Sequence, residues 1–169
     1  MSARLALRSL ARARVAPSAA RVQARGYAEA AATNDKLKLT LSLPHETLFK
    51  STDVVQVNLA AESGDLGVLA NHVPSIEALK PGVLEVIEGA ANESKKWFVS
   101  GGFANVHPNN TLTVNAVEAY PLDSFSPEAI RSGLAEAQRV AAGSGTEEEK
   151  AEAQIEVQVY EALQAALKA

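Results

Sequence analysis

The chain contains no cysteine, so a disulfide framework, a thiolate nucleophile and Cys-type zinc or iron–sulfur sites are excluded at the outset. Histidine is scarce: His45, His72 and His107 stand 27 and 35 residues apart, far from the spacing that sets two imidazoles on one helical face. Long apolar runs are missing as well. Stretches such as Leu66–Ala70 extend five residues, whereas a membrane-spanning helix needs roughly 20. What remains, in 169 residues that are 47% hydrophobic and 21% charged with a formal charge of −4, fits one ordinary domain, or one with a small appendage.

Acidic residues are missing from the N-terminus. Arg4, Arg8, Arg12, Arg14, Arg21 and Arg25 precede the first acidic residue, Glu29, the asymmetry expected of a mitochondrial presequence. Arg4, Arg8 and Arg12 share one helical face opposite Ala6, Leu10 and Ala13, and Pro17 stops that helix. A secretory signal would need an apolar stretch of roughly 7–15 residues, and arginine interrupts every candidate. The stretch Arg25-Gly26-Tyr27-Ala28 resembles a matrix processing signal, so residues 1–27 are expected to be removed and 28–35 to form a short linker. The remainder keeps ten basic residues (eight Lys, Arg131 and Arg139) against 20 acidic ones, close to −10. With Lys95-Lys96 as its basic doublet, such a chain lacks the clustered positive stripe that nucleic-acid phosphates require. The sequons at Asn92 and Asn109 read as turns.

Two periodicities organise the rest. From Lys36 to Leu43 the chain alternates strictly, with Leu37, Leu39, Leu41 and Leu43 on one side, which predicts a half-buried strand. Further strands are expected at Thr47–Lys50, Val54–Leu59, Val83–Glu88, Lys95–Ser100, Phe103–His107 and Leu112–Val117, separated by turn signals such as Lys80-Pro81-Gly82 and Pro108-Asn109-Asn110. Many short strands without helical period predict an antiparallel β-sandwich over about 36–122. Trp97 and Phe98 are adjacent in a strand and must face opposite sides, one toward the core and the other a candidate interface anchor. Beyond Pro121 the period becomes helical. Ser126-Pro127-Glu128 supplies a cap, a proline at the first position and an acidic first turn, and Ile130, Leu134, Ala137 and Ala141 follow on one face. Gly143-Ser144-Gly145 breaks this helix, and Thr146 with Glu149 makes a capping box for a second, from about Glu147 to Ala166. Its stripe runs through Ile155, Val159, Ala162 and Ala166, widened by Val157, Tyr160, Leu163 and Leu167. The fold expected is mainly β plus α: a sandwich followed by an antiparallel helical hairpin over 123–169.

Catalytic chemistry finds little footing. Asp53, Glu62 and Asp65 lie in turns of an acidic chain, where carboxylates gather without converging on a pocket. Glycines at 64, 67, 101 and 102 lack the context of a phosphate loop. No catalytic residue, cofactor or metal site is expected. His72 reads either as a turn histidine bonded to backbone or as a contact residue at a loop tip.

The segment Glu62-Ser63-Gly64-Asp65-Leu66-Gly67-Val68-Leu69-Ala70-Asn71-His72-Val73-Pro74 resembles the G-[ED]-[LM]-G-x-x-x-x-H-x-P motif of the F-type ATP synthase central-stalk subunits, called delta in mitochondria and epsilon in bacteria. Leu79-Lys80-Pro81-Gly82, Val99-Ser100-Gly101-Gly102-Phe103 and His107-Pro108-Asn109-Asn110 match that family's next landmarks, in order. The resemblance covers about 36–169. It implies a non-catalytic rotor subunit on the matrix side of the mitochondrial inner membrane, bound to the gamma subunit and the c-subunit ring, with Asp65 and His72 at the family's ring-contact positions. It further implies a small mitochondrial partner called epsilon, packed on the hairpin, with Ile155, Val159 and Leu163 as its contacts or as hairpin packing. Some bacterial members bind nucleotide through [IL]-D-x-x-R-A at the first C-terminal helix. The corresponding stretch here, Glu128-Ala129-Ile130-Arg131-Ser132, has glutamate for aspartate and serine for alanine, so the expectation is a hairpin held down rather than an ATP-binding one. Two other readings stand beside the rotor subunit: a regulatory inhibitor of ATP hydrolysis and a stand-alone matrix binding module.

Overall fold

A computed structural model describes residues 36–89 and 94–168. The expected presequence at 1–27 with its processing site, the expected linker at 28–35 and Asn92 lie outside the described residues. Ten strands form one curled sheet: β1 (Leu37–Ser42), β2 (Thr47–Val54), β3 (Gln56–Ala61), β4 (Gly64–Leu69), β5 (Ser75–Leu79), β6 (Gly82–Ile87), β7 (Ser94–Val99), β8 (Gly102–His107), β9 (Thr111–Ala116) and β10 (Ala119–Pro121). Their order is β10-β7-β6-β3-β5-β8-β9-β1-β2, with β4 on the far side of β3. β3 is the corner. Its first half pairs with β6, and its last residue, Ala61, pairs with Leu79 of β5, so the sheet folds over itself into two layers. Pairing is antiparallel except between β1 and β9, which run parallel from Lys38↔Thr111 to Ser42↔Asn115.

The expected alternation is what fills the space between the layers. Leu37, Leu39 and Leu41 are buried, and they meet Val57, Val68, Leu84, Val86, Leu112 and Val114 in one apolar cluster. Strand β2 runs on past Lys50 through a bulge. Ser51 adopts φ 50° and donates its N–H to Thr40 Oγ1 at 3.2 Å, and the β1–β2 register shifts nearby, as an inserted residue requires. Strand β4 falls where the sequence suggests a turn and a loop, and β5 and β10 are additional to the expected strands. β4 carries two glycines and an aspartate, poor strand formers. It forms because its antiparallel ladder with β3 runs unbroken from Gln56↔Leu69 to Ala61↔Gly64 and places Leu66 and Val68 toward the core.

The hairpin follows its local signals closely. After a tight helical turn at Leu122–Ser124 comes α1 (Pro127–Ala141), capped by Ser126 Oγ accepting from the Ala129 N–H. α2 (Glu147–Ala166) begins with the capping box: Thr146 Oγ1 accepts from Glu149 N–H at 3.2 Å, and Glu149 Oε2 accepts from Thr146 N–H at 2.8 Å. The helices run antiparallel, with Ala137 and Ala153 buried between them. A side chain at Gly133 would sit 2.5 Å from Tyr160 Cζ, so the tyrosine ring occupies the place a methyl group would take.

Trp97 and Phe98 do face opposite sides, and both sides are covered. Trp97 packs against the sandwich core, edge-on to Phe49 with centroids 5.2 Å apart. Phe98, on the outer face, is 4% exposed and forms a second cluster with Ile130 and Leu163, fringed by Leu122, Phe125, Val159 and Tyr160. Phe98 is therefore an anchor for the protein's own hairpin. The edge-on contacts of Phe125 with Phe98 and Tyr120 complete this joint.

Candidate partner-binding surface

Asp65 and His72 are not neighbours on one loop. They bracket β4, which pairs among the described residues with β3 alone and so forms a margin of the sheet. At about 3.3 Å per residue, Asp65 and Leu69 are already about 13 Å apart, and His72 lies beyond a further turn. Asp65 is thoroughly exposed, at 87% of its side chain, with Oδ1 3.7 Å from Lys80 Nζ. A surface pair of this kind contributes little to stability, and the carboxylate stays accessible to a cationic partner. His72 is half-buried. Its N–H donates to Leu69 O at 3.2 Å, and its ring Nδ1 lies 2.8 Å from Val73 O, so a protonated Nδ1 donates to that carbonyl and Nε2 faces away from the bond. Of the two readings of this histidine, the turn bonded to backbone is the one these bonds describe.

Apolar side chains continue from this margin onto the outer face of β5, β8 and β9. Val73 is 74% exposed, Ile76 73% and Phe103 60%, with Leu69 and Val117 also open. Ala78 pairs with Phe103 and Ile76 with Asn105, which makes Ile76 and Phe103 diagonal neighbours on one face. Phe103, Val117, Leu43 and Pro44 line a shallow cleft of about 340 Å³ there. Exposed apolar side chains gathered on one face make it a candidate site for another protein. The sequence pattern alone does not mark these residues. Its missed signal was phase: in Ser75-Ile76-Glu77-Ala78-Leu79 the buried residue is Leu79, so Ile76 falls on the outward register where a polar residue belongs.

The opposite outer face is polar. Gln56 Nε2 donates to Asn58 Oδ1 at 2.6 Å, Asn58 Nδ2 donates to Glu85 Oε2 at 2.9 Å, and Lys96 Nζ lies 3.9 Å from Glu85 Oε1. The Asn58 hydrogen bond, the largest effect, holds the Glu85 carboxyl below its ordinary value against the opposing effect of burial, with Ser94 and the Lys96 charge adding smaller lowering contributions. This row floors a groove of about 630 Å³ walled by Ala162, Ala165 and Ala166 at the end of α2. On the hairpin, Leu163 is buried and Val159 half-buried against Phe98, while Ile155 is 62% exposed. Of those three, Ile155 leaves its side chain open to solvent and the other two hold the hairpin down. Ile130, inside the stretch that departs from the bacterial nucleotide motif, is likewise spent on that joint. Among the described residues no group of three or more His, Asp or Glu side chains is placed to hold a metal ion, and no helix is long and apolar enough to cross a membrane.

Comparison with known proteins covers both halves. Residues 36–121 match the model of the ATP synthase delta/epsilon chain β-sandwich domain, and residues 125–165 match that of the C-terminal domain of the fungal epsilon subunit of F1F0-ATP synthase. The mitochondrial ATP synthase subunit delta of Agaricus bisporus is 66% identical over 143 residues, 85% of this chain and 85% of its own length. That of Saccharomyces cerevisiae is 56% identical over 147 residues, 87% of this chain and 90% of its own. A chain in the cryo-EM structure of the Euglena gracilis mitochondrial ATP synthase, comprising OSCP, F1 and the c-ring, superposes with a TM-score of 0.77 at 30% identity, covering 83% of this chain and 87% of that one. With sandwich, hairpin and their order all matched, this chain belongs to the ATP synthase delta/epsilon family, alongside its mitochondrial delta members.

Proposed function

We propose that this chain is a non-catalytic rotor subunit of the mitochondrial proton-translocating F-type ATP synthase, and that it couples proton-driven rotation of the central stalk to ATP synthesis. One observation carries the reading: the sandwich and the hairpin each match their own ATP synthase family, over nearly all the described residues. The division that goes with it is a transit peptide at 1–27, a linker at 28–35, the sandwich at 36–122 and the hairpin at 123–169, with the processed chain on the matrix side of the inner membrane.

Each surface has a partner of suitable chemistry. The apolar face around Ile76, Phe103 and Val117 takes the gamma subunit, because burying exposed aliphatic and aromatic surface drives association. The β4 margin takes the c-subunit ring along a line, with Asp65 at one end and His72 at the other; an exposed carboxylate and an imidazole there favour basic or polar ring loops and fix orientation. The small epsilon partner lies on the hairpin at Ile155. The fold suits a part that carries lateral load, because its ladders join strands distant in sequence and its turns cluster at the ends of a packed sandwich. The chain itself contributes no catalytic residue and needs no cofactor.

The test is recovery of partners by the tagged processed chain from detergent-solubilised mitochondria, with a cross-linker on a cysteine placed at Asp65. Gamma and c subunits in the eluate, with the cross-link on c, are the expected result. The chain alone, or in the company of unrelated matrix proteins, would sink the assignment in favour of a stand-alone binding module.

A further inference from the structure

Two turns and the start of a strand meet at the end of the sandwich that carries His72: the β8–β9 turn at 108–110, the 70–74 turn after β4, and the first residues of β1. Asn110 joins them. Its backbone stands at φ 56°, a left-handed conformation that asparagine tolerates and most residues do not. Its carbonyl accepts the Lys38 N–H at 2.8 Å, and its side-chain Oδ1 accepts the Asn71 N–H at 2.7 Å, a bond between positions 39 apart in sequence. Asn71 is itself left-handed, at φ 64°, and it turns the chain so that the His72 N–H reaches back to Leu69 O.

We infer that Asn110 is a positioning residue for the ring-facing end, fixing the His72 turn to the β8–β9 turn so that the two bear load as one body. The inference rests on the proposed ring contact of His72. A turn at a sheet margin, held by its own short-range bonds, can pivot at Asn71. Tied to Asn110, it is fixed to β9, which is bonded on both sides, to β8 and β1, and a push on His72 passes into the middle of the sheet rather than into a hinge. The residue type is constrained twice over. Glycine meets the left-handed backbone but supplies no acceptor; aspartate meets both needs.

That pair of substitutions is the test, made in assembled, membrane-embedded synthase. With Asn110→Gly, hydrogen exchange in the 69–75 segment is expected to accelerate about fivefold, the loss of one ordinary hydrogen bond, while β1 and β9 exchange as before. Protons pumped per ATP hydrolysed should fall. Asn110→Asp should restore both. Unchanged exchange in the glycine variant, or failure of aspartate to restore it, overturns the inference, and so does faster exchange with undiminished pumping, because the bond would then be structural only. The ring contact is judged separately, by cross-linking from His72→Cys in an otherwise unaltered chain: failure to reach a c subunit removes that contact whatever Asn110 does.

Discussion

Replacing Phe98 with alanine should free the hairpin from the sandwich without unfolding the sandwich. The ring is 4% exposed and is the sheet's one fully buried member of the second cluster, opposite Ile130 and Leu163. Deleting it removes about 120 Å² of apolar surface from burial, worth about 3 kcal/mol at about 25 cal/mol per Å², and the edge-on contact with Phe125 adds about 0.5–1 kcal/mol. At 1.4 kcal/mol per factor of ten, the undocked hairpin becomes more populated by two to three orders of magnitude. The core around Leu39, Leu41, Val57 and Val114 lies on the other face and loses nothing. Amide exchange is the assay. Protection of α1 and α2 should fall steeply, protection of β1 and β9 should hold, and a protease should now cut between Leu122 and Ser126. If the strands lose protection as much as the helices do, sandwich and hairpin unfold as one unit and the reasoning from two clusters is wrong.

A double-mutant cycle tests the fit of Tyr160 over Gly133. Alanine at Gly133 should be close to neutral alone, because its helix propensity offsets the displaced ring, yet stabilising by about 1 kcal/mol once Tyr160 is also alanine; thermal unfolding that shows no coupling would refute the packing. Because the folded Glu85 carboxyl is held below its ordinary 4.5, its contribution to stability is complete above that value and is lost as pH falls through the lower folded one. Asn58→Ala, which removes the largest cause, should raise the titration midpoint of Glu85 in carboxylate NMR and weaken the acid dependence of unfolding; an unmoved midpoint would assign the shift elsewhere. Ile76→Asp with Phe103→Asp should leave the melting temperature nearly unchanged, both side chains being exposed, while abolishing co-purification of the gamma subunit. Undiminished recovery would move that interface to another face.

How much of this was legible depended on how local the determinants are. Both helices were readable to their ends, because Ser126, Pro127, Thr146 and Glu149 act on backbone groups within one turn. β1 was readable because four leucines alternate without a break. β4 was not: Gly64, Asp65 and Gly67 give it almost no strand preference of its own, and it exists through β3, which the chain has just made. The bulge at Ser51 hid the second half of β2 in the same way, since a left-handed serine breaks the phase that pattern reading follows. For the candidate site, the motif singled out Asp65 and His72 but not the strand that carries the first and leads to the second, so a loop was expected where a sheet margin stands. The stripe through Ile155, Val159 and Leu163 marked an apolar helical face, but what covers Val159 and Leu163 and leaves Ile155 open is Phe98 on the outer face of β7, a relation that arises only when sheet and hairpin are both complete.

The parallel pairing of β1 with β9 bears on how the chain is made and delivered. Lys38 finds its partner in Thr111, so the first strand cannot complete its ladder until nearly the whole sandwich is available. At about 5–20 residues per second of synthesis, the leucine-rich strand waits several seconds with one side open as it emerges from a ribosome. An alternating strand with a bare edge is the kind of segment that pairs with its copies. A product truncated before Thr111 would keep that edge for good, which makes completion of the chain, rather than collapse of its beginning, the step at which it becomes safe to release.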